Sequence, residues 1–356
     1  MKKTQLALTF LSFFISFNIL VGQQIPEYSF LRENMGIINP AFFNYSFIED
    51  NSMTQNLSIY HNQQWLGIPD APVLSNAKFE KIAVQNGSYP VKPKSKWGVA
   101  FEKSNSGRGA LIEQGVYFNY GYSVNLSEFT TFSAGLNFRA IQEQWNIDPL
   151  TIKDKDDLIL ESLNMRSLKG LFDIGIFLRR KSVNQNSKIE SWYWGLSGSQ
   201  ASGFTLNPFG QSLMRPLHLN ILFGCFIGKD FSGNGLSNFF EPLVLIRYFP
   251  PYDKEKFSGF LFPVDAELKL PFTADFNVRY THKNTFFLGT GVGWQGKINF
   301  ETGYQFITNN GRNRIKYKLG VLASYFPIPD VKNNLPQAIY KFPSMEMFLN
   351  ISIGKR

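Results

Sequence analysis

Cysteine is almost missing from this chain of 356 residues: Cys225 stands alone, so no intrachain disulfide can exist. Charge is sparse, at 18% Asp, Glu, Lys and Arg, and there are only three histidines. His61, His218 and His282 lie far apart, and none has the spacing of a local metal motif. Beyond the N-terminus no run is long and apolar enough for a transmembrane helix. No internal repeat and no linker divides the chain. These absences exclude a disulfide-stapled module, a local His/Cys metal site, a helix-built membrane protein and a repeat array.

Aromatic residues are plentiful, at 16%, with 36 Phe and 15 Tyr, and the formal net charge is +9. The excess of positive charge suits lipopolysaccharide or phospholipid headgroups, or an acidic protein. Nucleic acid, the usual alternative for a basic chain, is not expected, because no basic helix or nucleic-acid module is present. Lys2 and Lys3 precede an apolar run from Leu6 to Val21, and Gln23-Gln24 opens a polar segment. That is the layout of a secretory signal peptide. Residues 1–22 are read as a cleaved signal and residues 23–356 as one domain.

From Thr54 onward, apolar and polar residues alternate with a period of two. Phe132, Ala134, Leu136, Phe138 and Ala140 share one face, opposite Thr131, Ser133, Gly135, Asn137 and Arg139. The same division recurs around Phe172–Arg179, Ala274–Thr281, Ile298–Phe306, Ile315–Tyr325 and Met345–Ile353. Further strands are expected at 73–84, 96–103, 111–124, 191–199, 216–228, 240–249 and 285–294. A soluble sandwich also alternates. These segments are long, however, their apolar faces are unbroken, and their polar faces mix ions with Gly. Strands in lipid satisfy their backbone groups only in a closed barrel. The expected fold is all-β: a single antiparallel transmembrane outer-membrane barrel of about 14 strands. Loops are expected at 146–168, 229–238 and 327–343.

No constellation points to catalysis, a cofactor or a metal. Gly291-Val292-Gly293-Trp294-Gln295-Gly296 matches the dinucleotide pattern, but it lies in a strand with no helix after it to hold a pyrophosphate. Gly289, Gly291 and Gly293 read better as a side-chain-free strip inside a barrel. Asp154, Asp156 and Asp157 lack the glycine and terminal glutamate of a helix-loop-helix calcium site. Cys225 continues the stripe Leu219, Ile221, Phe223 and reads as a small apolar residue facing lipid. His218 alternates with Asn220 on a polar face, where it is either a lumen group or a satisfied structural histidine.

Two short motifs are more specific. Gln23-Gln24-Ile25-Pro26-Glu27-Tyr28-Ser29-Phe30 leads to Ile37-Ile38-Asn39-Pro40-Ala41, and Tyr60, Gln64, Trp65, Gly67, Ala71 and Pro72 follow about one hairpin later. This pattern resembles the start of the PorP/SprF family, outer-membrane barrels of the type IX secretion and gliding machinery of Bacteroidota. Trp97-Gly98-Val99-Ala100, Asp173-Ile174-Gly175-Ile176, Trp194-Gly195-Leu196-Ser197 and Glu241-Pro242 continue the likeness more loosely. Phe42-Phe43 and the closing Gly354-Lys355-Arg356 depart from the commoner family pattern.

The resemblance implies a non-enzymatic component that helps export or surface-anchor a cargo protein. The implied partners are an adhesin-like C-terminal domain, periplasmic components of the machinery, and outer-membrane lipid. On charge alone, Arg139, Arg179 and Arg279 are the lumen cations to examine. The motif residues serve either barrel closure and a plugging N-terminus or direct contact with a partner. The alternative function is a porin-like passive channel for small hydrophilic solutes.

Overall fold

The structure, a computed structural model, describes residues 31–43, 52–64, 66, 71–84, 94–106, 111–145, 166–183, 187–205, 218–232, 235–248, 272–293, 297–311, 313–325 and 343–355. The expected signal peptide, Trp65 and Gly67 lie outside these residues. Among the described residues, one helix, α1 (Leu31–Ile38), precedes fourteen strands. They are β1 (Met53–Gln63), β2 (Val73–Val84), β3 (Lys94–Ser106), β4 (Leu111–Asn125), β5 (Thr130–Trp145), β6 (Arg166–Lys181) and β7 (Ile189–Thr205). Then come β8 (His218–Ser232), β9 (Gly235–Tyr248), β10 (Phe272–His282), β11 (Phe286–Gly293), β12 (Ile298–Asn310), β13 (Asn313–Tyr325) and β14 (Ser344–Lys355).

Each strand pairs antiparallel with its neighbours in sequence, and β14 returns to β1 from Met53↔Gly354 to Gln63↔Met345. The sheet is thereby a closed barrel, which supplies each strand with backbone partners on both sides in a medium that offers none. Most strands run 11 to 17 residues, as in β1 and β7, which suits a tilted span.

Alternation sets the two faces. In β5, Ser133 and Asn137 are buried in the lumen while Leu136 stands 57% exposed on the outer wall. Phe101, Phe118 and Phe300 are similarly turned out, at about the same exposure. Such apolar side chains are matched to lipid, not water. Cys225 lies on the outward-facing parity with Ile221 and Phe223, at intermediate exposure.

The two rims differ. Residues 85–93, 126–129, 182–188, 233–234, 283–285 and 311–312 connect strands at one end, where β1 begins and β14 finishes. The four longest connections, 146–165, 206–217, 249–271 and 326–343, all lie at the other end, with the shorter 64–72, 107–110 and 294–297. Short turns mark the periplasmic end of such barrels and longer loops the exterior, which orients the molecule. The loop expected at 229–238 is shorter than the sequence suggested. β8 and β9 extend to Ser232 and from Gly235, because Gly233-Asn234-Gly235 is hairpin chemistry and not loop chemistry. The expected loops at 146–168 and 327–343 fall mainly outside the described residues, with β6 already begun at Arg166.

Candidate functional site

The N-terminal segment enters the barrel and crosses its lumen in the periplasmic half. α1 has eight residues, too few to be stable alone, so its surroundings must hold it. Its last turn closes with the Asn39 amide donating to the Met35 carbonyl at 2.7 Å. Pro40 then stops it, since proline disfavours helical backbone in the residue before it. The Asn39 side chain turns the chain, its Oδ1 accepting from the Ala41 amide at 3.0 Å. Its Nδ2 donates to the Ile176 carbonyl on the β6 wall at 3.0 Å.

This close approach explains a row of glycines. Gly121, Gly135 and Gly175 are aligned across β4, β5 and β6. A Cβ on Gly135 would collide with the Pro40 carbonyl, and one on Gly175 with the Asn39 side chain. A Cβ on Gly195 of β7 would stand 2.6 Å from Asn39 Nδ2. Asn39, Pro40 and Ala41 therefore lie in a groove that only glycine leaves open. Gly289 serves the same end differently, because a Cβ there would overlap the Glu301 carboxylate.

At the start of α1, charge holds the helix. Arg32 donates from Nε to Glu241 at 2.6 Å, and also bonds Asn277 and the Glu241 carbonyl. Arg279 forks onto Glu301 at 2.9 and 3.0 Å and reaches Glu33 at 3.0 Å. Lys318 pairs with Glu33 at 2.9 Å, and Asn350 donates to Glu33 at 2.6 Å. Tyr193 donates to Glu241 at 2.5 Å, and Arg279 stacks over Phe287 at 4.4 Å. The cations Arg32, Arg279 and Lys318 are thus balanced by the anions Glu33, Glu241 and Glu301, all buried. Balance is required, because an unpaired buried charge costs several kcal/mol. Burial alone would push the Glu33 carboxyl up, but Lys318 and Arg279 hold it down at about 2.

The other end is held by donors to the helix's terminal carbonyls, which have no partners within α1. Arg139 donates to the Ile37 carbonyl at 3.2 Å while its Nε pairs with Asp173 at 2.5 Å. Ser197 donates to the Ile38 carbonyl at 2.7 Å, and Lys96 to that of Phe42 at 2.5 Å. Met35 and Phe42 fill an apolar cluster with Phe177, Tyr193, Leu222 and Leu243. Beside the helix remains a void of about 10 Å³, lined by Gly36, Lys78, Glu80, Tyr117 and Asn137, room for about one water.

The two sequence motifs end up apart. Asn39 and Ala41 are buried in the lumen, whereas Gln64, Ala71 and Pro72 belong to the β1–β2 connection on the exterior rim. There the Gln64 amide donates to the Pro72 carbonyl at 2.9 Å, and the Leu66 amide to Pro343 at 2.8 Å. Tyr60 lies within the wall, donating to Glu346 at 2.6 Å. Of the four lumen residues, Arg139 and Arg279 touch the N-terminal segment. Arg179 lies nearer the periplasmic rim, 3.6 Å from Glu190, and His218 stands at the exterior end of β8. Sequence reasoning missed Arg32 and Glu33. A pair of opposite charges just ahead of Asn39, with Glu241, Arg279 and Glu301 on polar strand faces, was the available signal.

Among known proteins, the profile of a family described as type IX secretion system membrane protein PorP/SprF matches residues 20–318. No curated protein sequence matches the chain. A FadL homologue of Pseudomonas aeruginosa is similar over 91% of this chain and 94% of its own, at 8% identity and a TM-score of 0.46. The translocator domain of the autotransporter NalP from Neisseria meningitidis is similar over 85% of this chain and 88% of its own, at 8% identity and 0.42. CdiB from Acinetobacter baumannii matches 85% of this chain at 11% identity and 0.37, and the chain spans 60% of CdiB's length. Likeness this remote carries no functional weight, and the fold stands on its own strand pairing.

Proposed function

The chain belongs to the PorP/SprF family of type IX secretion system membrane proteins, and from that premise we propose that it is a plugged, non-enzymatic docking component. It sits in the outer membrane as a closed barrel, and membership in this family implies contact with other parts of the secretion machinery. Our reading is that it helps to export or surface-anchor a cargo protein, such as an adhesin, whose C-terminal domain meets the exterior mouth and its long loops. Gliding would follow where that adhesin is the cargo. The observation that carries this reading is the docked helix: α1 and Phe42 lie inside the barrel, held by a balanced ion network. A passive pore needs a continuous wet path, and among the described residues α1 and its ion network stand in the lumen.

Two measurements test the proposal. The purified chain in planar bilayers is expected to show no large steady conductance. Deleting its gene is expected to remove one or a few proteins from the cell surface, with solute uptake unchanged. A large open channel, together with lost uptake and an intact surface proteome, would establish the porin reading instead.

A further inference from the structure

Asn119 of β4 and Asn137 of β5 stand directly opposite each other in the ladder, and both are buried. Each has its amide nitrogen engaged. Asn137 Nδ2 donates to the Asp173 carboxylate at 2.7 Å, and Asn119 Nδ2 faces the Pro40 and Leu136 carbonyls, both at 3.4 Å. Turning either amide over would set its oxygen against those acceptors, so the surroundings fix the orientation. Both Oδ1 atoms are then left buried with no hydrogen-bond partner. Nζ of Lys78 on β2 is in the same position: it is paired in charge with Glu80 at 3.1 Å but makes no hydrogen bond.

All three residues line the void of about 10 Å³ beside α1. Buried polar groups without partners are rare, and a polar void of this size holds a water where an apolar one stays dry. The count of donors and acceptors narrows the occupant. It must give two hydrogens, to Asn119 Oδ1 and Asn137 Oδ1, and accept one from Lys78 Nζ, in the space of one heavy atom. Water does so. An anion would face two amide oxygens. A metal ion would add positive charge where Lys78 and Lys96 already share one carboxylate, Glu80, at 3.1 and 3.6 Å. Tyr117 also lines the void, but its hydroxyl is committed to Glu102 at 2.5 Å.

Gly36 points to the same place. Glycine inside a helix is disfavoured against alanine by about fivefold. The φ of Gly36 is not positive, so its backbone does not require glycine. A Cβ there would stand 3.3 Å from Lys78 Nζ and 3.4 Å from Glu80 Oε1. Those contacts are tight but possible, and the methyl would take up the room beside the ammonium.

We infer that Lys78, Asn119 and Asn137 hold one buried water against Gly36, and that residue 36 is glycine to leave room for it. The water completes the polar pairing of β2, β4 and β5 where the docked helix covers them. Neither the cargo nor the exterior loops bear on this site.

The test uses crystals of the full chain, and hydrogen exchange on the full chain in detergent micelles. Wild-type density is expected to show one isolated peak within about 2.6–3.2 Å of Asn119 Oδ1, Asn137 Oδ1 and Lys78 Nζ. Gly36→Ala is expected to lose that peak with α1 still docked. Losing the water strands two buried acceptors, which outweighs the helix propensity that alanine brings. Exchange at the Asn39 amide, bonded to Met35, should therefore quicken by about fivefold or more. Exchange that is unchanged, or slowed by the roughly fivefold that propensity alone dictates, would overturn the proposal. So would a peak that persists in Gly36→Ala, a dry void in the wild type, or a Lys78 ammonium bonded directly to either amide oxygen. A peak with the short contacts to several oxygens that mark a metal ion would overturn it too. If Gly36→Ala loses heat-modifiable gel migration, the wild-type density decides alone.

Discussion

Glu33→Gln tests the plug at its most loaded contact. In the native lumen this carboxylate receives Arg279, Lys318 and Asn350 at 2.6 to 3.0 Å. Neutralising it leaves Arg32, Arg279 and Lys318 facing only Glu241 and Glu301. The drop in carboxyl pKa from 4.5 to about 2 corresponds to roughly 3 kcal/mol favouring the ionised, docked form. A broken buried pair costs about the same, roughly 3–5 kcal/mol. The natural assay is hydrogen exchange at α1, where the Asn39 amide is bonded to Met35. A loss of 3 kcal/mol in local opening energy should speed exchange there by about two orders of magnitude, with the strand amides unaffected. Acid should mimic the substitution. A carboxyl whose pKa is depressed on docking stabilises above its free value, and that stability is lost as pH falls from about 4.5 through about 2. Wild-type α1 should therefore loosen below pH 4.5 after correction for intrinsic exchange, and the Gln variant should show a smaller further change, since Glu241 and Glu301 still hold Arg32 and Arg279 there. Exchange in Glu33→Gln within about threefold of wild type at neutral pH would refute the claim that this network holds the plug.

Two further outcomes follow from the packing. Gly135→Val places side-chain atoms where the Pro40 carbonyl lies, and should displace the Asn39–Ala41 turn at a cost of about 1–3 kcal/mol. Raised protease sensitivity after Ile38 with a still heat-modifiable barrel would confirm it; an unchanged cleavage pattern would not. Cys225 on the outer wall should react in lipid nanodiscs with an apolar maleimide but not with a charged, membrane-impermeant one, and equal reaction with both would contradict its lipid-facing placement.

The opposing faces of the strands were legible because their period of two is a local property. Long runs such as Thr131–Ala140 carry it without ambiguity, and an observed strand overlaps every expected one. The glycines on polar faces were legible only as a type. That Gly121, Gly135 and Gly175 form one row depends on register between strands up to some fifty residues apart, which no local pattern contains. α1 was not legible at all. Leu31-Arg32-Glu33-Asn34-Met35-Gly36-Ile37-Ile38 has too few residues and too irregular an apolar face to form alone, and its helicity comes from the lumen around it.

The same division applies to the opening motifs. Asn39-Pro40-Ala41 and Tyr60 to Pro72 identified the family from sequence, because turn chemistry and amphipathic anchors are written in adjacent residues. Only the closed wall decided that the first is buried in the lumen while the second ends at the opposite rim. The ion pairs make the point most sharply: Arg32 meets Glu241 and Glu33 meets Lys318, partners more than two hundred residues away. Sequence by itself determined a strand-built membrane wall with one wet face and one greasy face. Barrel closure decided what fills that wet face, because only closure brings distant polar side chains around one enclosed space where each charge must find its counterpart.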